Sequence, residues 1–277
     1  MKKMILSLLA LAATIGANAQ NVEVHDFKKF KVHVYTSAEA MGDVSILVEG
    51  KKELVMLEPQ SFFKSIEEFN SYISKLDKPL VKVIANYHAG GLGQYENSKT
   101  VMVEPMVAFM QSPMAQGMLK NFAGAFKGAM DTKMVAPAAT IPAVSKQKWA
   151  GVKFDFTAGA ASDFPASSVN IGDKVYYTHF APNRMHPSPM QLTSSEAVDA
   201  MLTELGNAKA SGCELFVGSH GGVSTVADVE FLIDYLAKIK ELKASNSDAM
   251  SFAKALKVAY PSLAGDENVE AIAANLY

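Results

Sequence analysis

Two histidines stand where short apolar runs end in glycines, and these are the positions best suited to chemistry. The run Leu80–Ala85 has the apolar character of a buried strand and leads into Asn86-Tyr87-His88-Ala89-Gly90-Gly91. Residues 214–217 lead in the same way into Gly218-Ser219-His220-Gly221-Gly222. A buried strand that stops at a glycine-rich loop delivers a side chain to a cleft. We therefore expect the functional site to lie at these strand ends.

The elements that must position the two histidines can be predicted from hydrophobic periodicity. Strands alternate along the chain with helices that carry one apolar face. This order predicts an α+β fold, an αββα sandwich in which two mixed β-sheets are stacked and flanked by helices. The predicted strands are residues 31–35, 44–49, 53–57, Leu80–Ala85, Thr100–Val103, 152–156, the two arms around a turn within 170–178, and 214–217; the predicted helices are residues 65–76, 106–130, 196–209, 228–242 and two more in the tail.

Residues 20–277 are expected to form one domain with two similar halves, about residues 21–134 and about residues 145–277. Residues 135–144, which contain Pro137 and Pro142, are predicted to link the halves. The methionine-rich segment 106–130 could line a binding groove or pack in the core or a lid. Packing is the favoured interpretation, because methionine fills irregular gaps between elements.

The first nineteen residues have the pattern of a secretory signal peptide. Lys2 and Lys3 precede an apolar stretch at residues 4–16, and Ala17-Asn18-Ala19 has the small-x-small pattern of a cleavage site. We expect cleavage after Ala19 and an exported protein, periplasmic or extracellular. No second apolar run of about twenty residues follows, so no transmembrane segment is expected in the mature chain.

Charge and cysteine content argue against several other classes of protein. The net charge of -2 and the pI near 6.3 give no reason to expect a nucleic-acid partner. Arg184 is the only arginine, so bidentate arginine clamps on phosphates are almost excluded. Cys213 is the only cysteine, which rules out an internal disulfide and a cysteine metal cluster; it is expected to be a buried thiol.

In the order and spacing of these pieces the chain resembles the metallo-β-lactamase fold superfamily, over about residues 34–242. The resemblance rests on order and spacing more than on identity. The final matching piece, Val217-Gly218-Ser219-His220-Gly221 followed by a helix, is similar to the family's last metal-ligand loop. The other matching pieces are the hairpin at residues 45–58, the helix and strand that lead to His88-Ala89-Gly90-Gly91-Leu92, and the strand-turn-strand around residues 172–177.

Active members of that family hold one or two zinc ions, and the resemblance shows which ligands this chain lacks. Their His-x-His-x-Asp-His loop is reduced to His88, which matches either the second histidine of the motif or the last, the one before Gly-Gly. Ala160 stands where a mid-chain histidine is expected, and Thr178-His179-Phe180 stands where a later strand should end in Gly-Asp. His220 falls on a family ligand position. Glu58 replaces the aspartate that usually closes the early hairpin.

Two functional hypotheses follow from this pattern. The leading hypothesis is a decayed metal centre without a cofactor, in a protein that is non-catalytic or weakly catalytic. Such a protein would have a binding or accessory role, and its partner would be an unknown small molecule or protein. The alternative is a secreted hydrolase of ester, amide or lactone bonds with a rebuilt mononuclear zinc site made of His88, His179 and His220. In that site Glu58 or Asp163 would orient a ligand or accept a proton.

Further residues are expected around the cleft by their place in the two loops and near them. Ser219 and His220 are not expected to act as nucleophile and base, because adjacent residues on a loop seldom point at each other. The expected cleft residues are Tyr87, Gly90, Gly91, His186 and Ser219.

Overall fold

Seven strands in chain order form the first of two β-sheets. The computed structural model describes residues 21–39 and 41–277, so the predicted signal peptide and its cleavage site lie outside the described residues. The strands are β1 (Val22–Asp26), β2 (Lys31–Thr36), β3 (Val44–Glu49), β4 (Leu54–Leu57), β5 (Leu80–Ala85), β6 (Thr100–Val103) and β7 (Ala139–Ile141). Strands β1 to β4 pair as an antiparallel meander, and β4 to β7 pair as parallel neighbours.

The second sheet has six strands and lies in the C-terminal half of the chain. They are β8 (Ser145–Trp149), β9 (Val152–Ala158), β10 (Ser167–Ile171), β11 (Val175–Phe180), β12 (Leu215–His220) and β13 (Val223–Ser224). Only β11 and β12 among them pair in parallel. Their carboxyl ends therefore meet at the same edge of the sheet.

Helices cover the outer faces of both sheets. The helices are α1 (Phe63–Ser74), α2 (Glu104–Met110), α3 (Pro113–Phe126), α4 (Ser195–Ala210), α5 (Val226–Ser245), α6 (Ala249–Ala259) and α7 (Val269–Leu276). One hydrophobic cluster joins the two sheets to each other and to α1–α3, and a second packs α4–α7 against the second sheet. The predicted αββα sandwich is confirmed. Of the helices in the described ranges, none is both long and apolar enough to cross a membrane.

The alternation of side chains along β11 shows how one strand serves both clusters. Val175 and Tyr177 belong to the cluster between the sheets, and Tyr176 belongs to the cluster under the helices. Leu215 and Phe216 on β12 divide in the same way. Because successive side chains of a strand point to opposite faces, a continuous apolar run is the pattern of a strand covered on both sides.

Several elements differ from the sequence-based expectation. Residues 135–144, predicted to be a linker, contain β7, which pairs with β6. The helical segment 106–130 is divided into α2 and α3 at Ser112, which caps α3 just before Pro113. Met106 and Met110 are buried in the first core, whereas Met114 is 72% exposed. The favoured packing interpretation therefore describes α2 well and α3 only in part.

Gly91 occupies a position that a side chain could not fill. Its φ is 72°, in the left-handed region, and a Cβ there would lie 1.9 Å from the carbonyl oxygen of Gln60. We expect Gly91→Ala to lower the free energy of unfolding by roughly 2–4 kcal/mol, because both backbone strain and overlap would have to be relieved. Urea unfolding followed by circular dichroism measures the change.

Gly124 offers a matched control for that substitution. It lies inside α3, and nothing lies within 4 Å of the position its Cβ would take. Gly124→Ala should raise the free energy of unfolding by about 0.5–1 kcal/mol through higher helix propensity. If Gly91→Ala were as stable as Gly124→Ala, the tight approach of the Gly91 loop to Gln60 would be disproved.

Glu204 on α4 makes the stability of the fold depend on pH. Its carboxylate accepts hydrogen bonds from the hydroxyls of Ser168 and Tyr176, and burial raises its pKa above the ordinary value. The folded chain therefore keeps this proton to a higher pH than the unfolded chain does. The stabilisation is complete below the unfolded pKa and is lost as the pH rises through the folded one.

We expect Glu204→Gln to remove this dependence, because the amide oxygen can still accept both hydroxyls and carries no charge. The free energy of unfolding of wild type should fall relative to the variant as the pH rises from about 4 to about 8. Urea titrations of both proteins across that range test this. A difference between the two that stays constant with pH would contradict it.

Candidate metal centre

Three histidines meet at one edge of the sandwich, where strands of both sheets end. His88 follows the end of β5 in the first sheet, and His179 and His220 stand at the carboxyl ends of β11 and β12 in the second. The ring centroid of His88 lies 4.8 Å from that of His220, and each lies 5.4 Å from that of His179. One nitrogen from each ring can be chosen so that all three lie within 4.8 Å of one another. The chain thus brings together the three histidines proposed from the sequence.

The spacing is somewhat wider than a bound metal requires. Nitrogens about 2.0–2.1 Å from a shared zinc ion in tetrahedral geometry lie about 3.3 Å apart. The rings would therefore move closer together on binding.

Asp163 fixes the orientation of His179. Nδ1 of His179 lies 2.8 Å from each of the two carboxylate oxygens of Asp163, so this nitrogen donates its proton to the carboxylate. The ring of Tyr87 stacks on the imidazole with the centroids 4.6 Å apart and the planes 3° from parallel. The other nitrogen, Nε2, is buried and has no hydrogen-bond partner among the described residues. A buried imidazole nitrogen of this kind, held in one tautomer from behind, fits a metal ligand.

His220 is supported in a similar way by the loop between β2 and β3. Its Nδ1 donates to the carbonyl oxygen of Met41 at 3.0 Å, and Oδ1 of Asp43 lies 3.7 Å from the same nitrogen. The Asp43 side chain is almost fully buried, and burial raises the pKa of its carboxyl to about 6. Neither of its carboxylate oxygens makes a hydrogen bond within the part of the chain that the structure describes.

Asp43 is a site residue that sequence reasoning missed. In the sequence it follows Gly42 just before a strand, where an aspartate is an ordinary turn residue. No spacing relates it to His220, which lies 177 residues further along in the numbering. Only the folded chain brings the two side chains together.

His88 is positioned through its backbone by Glu58, which follows β4. The backbone N–H groups of Tyr87 and His88 donate to the two carboxylate oxygens at 2.8 and 2.9 Å, and the Tyr177 hydroxyl donates to one of them at 2.7 Å. Burial raises the pKa of Glu58 to about 7, against the opposing effect of these donors. Because its oxygens are engaged in this way, Glu58 fits a positioning residue better than a proton acceptor.

Two of the three imidazoles, those of His88 and His220, are suited to bind a cation as neutral ligands. Burial lowers the pKa of His88 well below its ordinary value, and the neighbouring imidazoles of His179 and His220 lower it further. Burial, assisted by His179, lowers the pKa of His220 to about 4. Both are therefore neutral near neutral pH, and the neutral imidazole is the form that binds metals.

The residues expected around the cleft prove to have different roles. A Cβ on Gly90 would lie 2.5 Å from Oγ of Ser61, so Gly90, like Gly91, allows the histidine loop to pack closely against residues 60 and 61. Tyr87 is buried behind His179 and supports it. These residues shape the loop that carries His88.

Ser219 and His186 do not lie on the cleft. The side chain of Ser219 points to the opposite face of β12 from that of His220, because successive side chains of a strand alternate. Ser219 is therefore fully buried, and its hydroxyl is hydrogen-bonded to the hydroxyl of Tyr177. The expectation that His186 borders the cleft is wrong. Its ring is buried among the C-terminal helices, where Nδ1 lies 2.7 Å from the Tyr235 hydroxyl and the ring packs against Tyr260. Side-chain alternation along β12 explains the placement of Ser219, and burial among the C-terminal helices explains that of His186.

Comparison with known proteins supports the architecture. No family model and no curated protein matches the chain. Among solved structures, a metallo-β-lactamase from Pontibacter korlensis is similar with a TM-score of 0.57 at 14% identity, over 78% of this chain and 99% of that one. A metallo-β-lactamase family protein from Thermus thermophilus is similar with a TM-score of 0.60 at 12% identity, over 89% of this chain and 90% of that one. The stereoselective inverting sec-alkylsulfatase Pisa1 from Pseudomonas sp. is similar with a TM-score of 0.59 at 14% identity, over 92% of this chain and 51% of that one.

Proposed function

We propose, starting from the metallo-β-lactamase fold of this chain, that it binds one zinc ion through His88, His179 and His220 and hydrolyses an ester, amide or lactone bond. The observation that carries this proposal is the convergence of the three imidazoles from both sheets on one point. Three histidines with one position left open are a known donor set of catalytic zinc. A decayed centre would not be expected to retain this convergence, the hydrogen-bond partners behind the rings of His179 and His220, and the Glu58 contact that positions the His88 backbone.

The residues around the triad have roles that suit such a site. Asp163 and the Met41 carbonyl hold the outer nitrogens of His179 and His220, which leaves Nε2 of each ring for the ion. Partners of this kind raise the basicity of a ligand and fix its direction. Asp43 adds a buried negative charge beside His220, which favours a cation in the centre. A bound zinc ion supplies Lewis acidity for hydrolysis.

The alternative is a binding or accessory role without catalysis. The chain lacks the Asp-His pair and the mid-chain histidine that its resemblance to active family members would lead one to expect. A second ion would therefore have too few donors, which is why the proposal is limited to one. Metal binding and turnover, measured separately, distinguish the two functions.

Zinc binding is tested by titration calorimetry after removal of metal with a chelator. Wild type should take up about one equivalent of zinc, and His179→Ala or His220→Ala should lose most of the affinity, because each removes one of three donors. Asp163→Asn removes the carboxylate that orients His179 but keeps the size of the side chain at position 163. It should weaken zinc binding about 10- to 100-fold. His25→Ala, on β1, is the matched control and should bind as wild type does.

Retention of less than about a tenth of an equivalent of zinc after dialysis would end the metal hypothesis. Where zinc is retained, a panel of aryl esters, anilides and lactones tests turnover with and without chelator. Hydrolysis should stop when the ion is removed and return when it is restored. Full zinc occupancy without turnover of any of the three classes would favour the binding or accessory role.

We also propose that the protein works outside the cytoplasm, in the periplasm or the medium. The support is the sequence pattern of residues 1–19 alone. Expression in a bacterial host followed by cell fractionation and intact mass measurement tests it. The exported form should begin at Gln20, because cleavage is expected after Ala19, and a full-length chain confined to the cytoplasm would contradict this.

A further inference from the structure

A cavity of about 200 Å³ opens directly beside His220. Its apolar wall is formed by Phe180 at the end of β11, Met185 in the loop that follows, and Leu232 of α5. The polar part of the lining comes from His220 itself, from Ser188, and from the amide side chains of Asn183, Gln191 and Asn268. None of the described residues that line it is an aspartate, glutamate, lysine or arginine. The cavity is thus next to the candidate metal centre but carries no charged side chain to match an ionic ligand.

The one arginine of the chain is close to this cavity but is held elsewhere. Nε of Arg184 donates to Oδ1 of Asp228 at 2.9 Å, and its guanidinium also donates to the Ala227 carbonyl and lies over the Phe231 ring. These contacts place it at the start of α5. Arg184 is therefore occupied in an ion pair and does not supply a positive charge to the cavity.

The polar groups of the cavity present both donors and acceptors. The amide of Asn183 and Nε2 of Gln191 take part in no side-chain hydrogen bond with other described residues. Oε1 of Gln191 accepts from the backbone of Ser188, and Nδ2 of Asn268 donates to the carbonyl of His186, which leaves Oδ1 of Asn268 as an acceptor. A carboxylate or sulfate can only accept and an ammonium can only donate, whereas an amide does both.

We propose that this cavity binds an uncharged, amide-bearing part of the substrate, attached to a short hydrocarbon chain that packs on the apolar wall. The inference rests on the proposed function, because it names the substrate class of the same site. A charge here would lose hydration and find no counter-charge among the described side chains that line the cavity, whereas an amide can pair with them in both directions. The preferred substrates are thus neutral amides, and anionic substrates bind poorly in this cavity.

Three probes of nearly equal size test the proposal: hexanamide, hexanoate and hexylammonium. Their binding to the full mature chain is measured by titration in the presence of chelator, so that no carboxylate can bind a metal. Hexanamide should bind at least about tenfold more tightly than either ion, because only it avoids burying an unpaired charge. Equal or tighter binding of hexanoate, or no binding of any probe to folded protein, would overturn the proposal.

Two variants of Gln191 locate the probe in the cavity. Gln191→Met keeps the length of the side chain but removes its N–H donors and the oxygen that accepts from Ser188, so hexanamide should bind roughly 3- to 10-fold more weakly. Gln191→Glu can still accept from Ser188, and it should weaken hexanamide and strengthen hexylammonium. Gln147→Met on β8 is the control and should leave all three affinities unchanged. Unchanged hexanamide binding in both Gln191 variants, with native circular dichroism, would overturn the assignment.

Failure of this inference can be told apart from failure of the proposed function. Zinc uptake by the triad is measured on the same preparations without probes, and the Gln191 variants should bind zinc as wild type does. Loss of probe selectivity with zinc uptake intact rejects only the substrate class. Probe selectivity without zinc uptake rejects the hydrolase and leaves a neutral-ligand cavity.

Discussion

The carboxylate of Glu58 accepts hydrogen bonds from the backbone of Tyr87 and His88 and from the Tyr177 hydroxyl, and the geometry of the site depends on it. A buried carboxylate left without donors is costly, so the three bonds hold the loop after β5 against β11. Asn86 strengthens the same junction, because its side-chain amide donates to and accepts from the backbone of Ser167. The loop from the first sheet is thus fixed to the second sheet before any ligand arrives, and His88 is placed accurately for that reason.

The carboxylates behind the histidines account for the electrostatic character of the centre. Asp163 pairs with the outer nitrogen of His179, and Asp43 lies buried near that of His220. Imidazole rings in front of buried or partly buried carboxylates form a region that disfavours anions and favours a cation. The Asp43 carboxylate makes no hydrogen bond to another described residue, and the cost of burying it would be offset by a positive ion in the triad. The geometry and the charges of the site are thus both compatible with the cation proposed for the triad.

The neutral cavity beside His220 complements this centre. A cation at the triad would provide the strongest charge in the cleft, and the surrounding walls would then have to supply shape and hydrogen bonds. Arg184 pairs with Asp228, so the lining keeps its amides without a competing charge. Small-molecule sites commonly combine one charged group with a lining of mostly uncharged side chains. The similar solved structures share the fold at 12–14% identity, which leaves room for a different cleft.

The sequence alone determined most strands and helices, the sandwich architecture and the position of the histidines at strand ends. It did so through hydrophobic periodicity and through the glycine-rich loops that follow buried strands. These are local patterns, since a strand buried on both faces and a loop of glycines can be recognised within about ten residues. Local composition did not predict four short strands, which are β1, β7, β8 and β13. Pairing with neighbouring strands, rather than local composition, defines them. Only the tertiary structure decided that Asp43 lies beside His220, that Ser219 and His186 face away from the cleft, and that Glu58 holds the His88 loop. Contacts between residues far apart in the chain depend on how the two sheets stack. No local sequence pattern determines which distant side chains that stacking brings together.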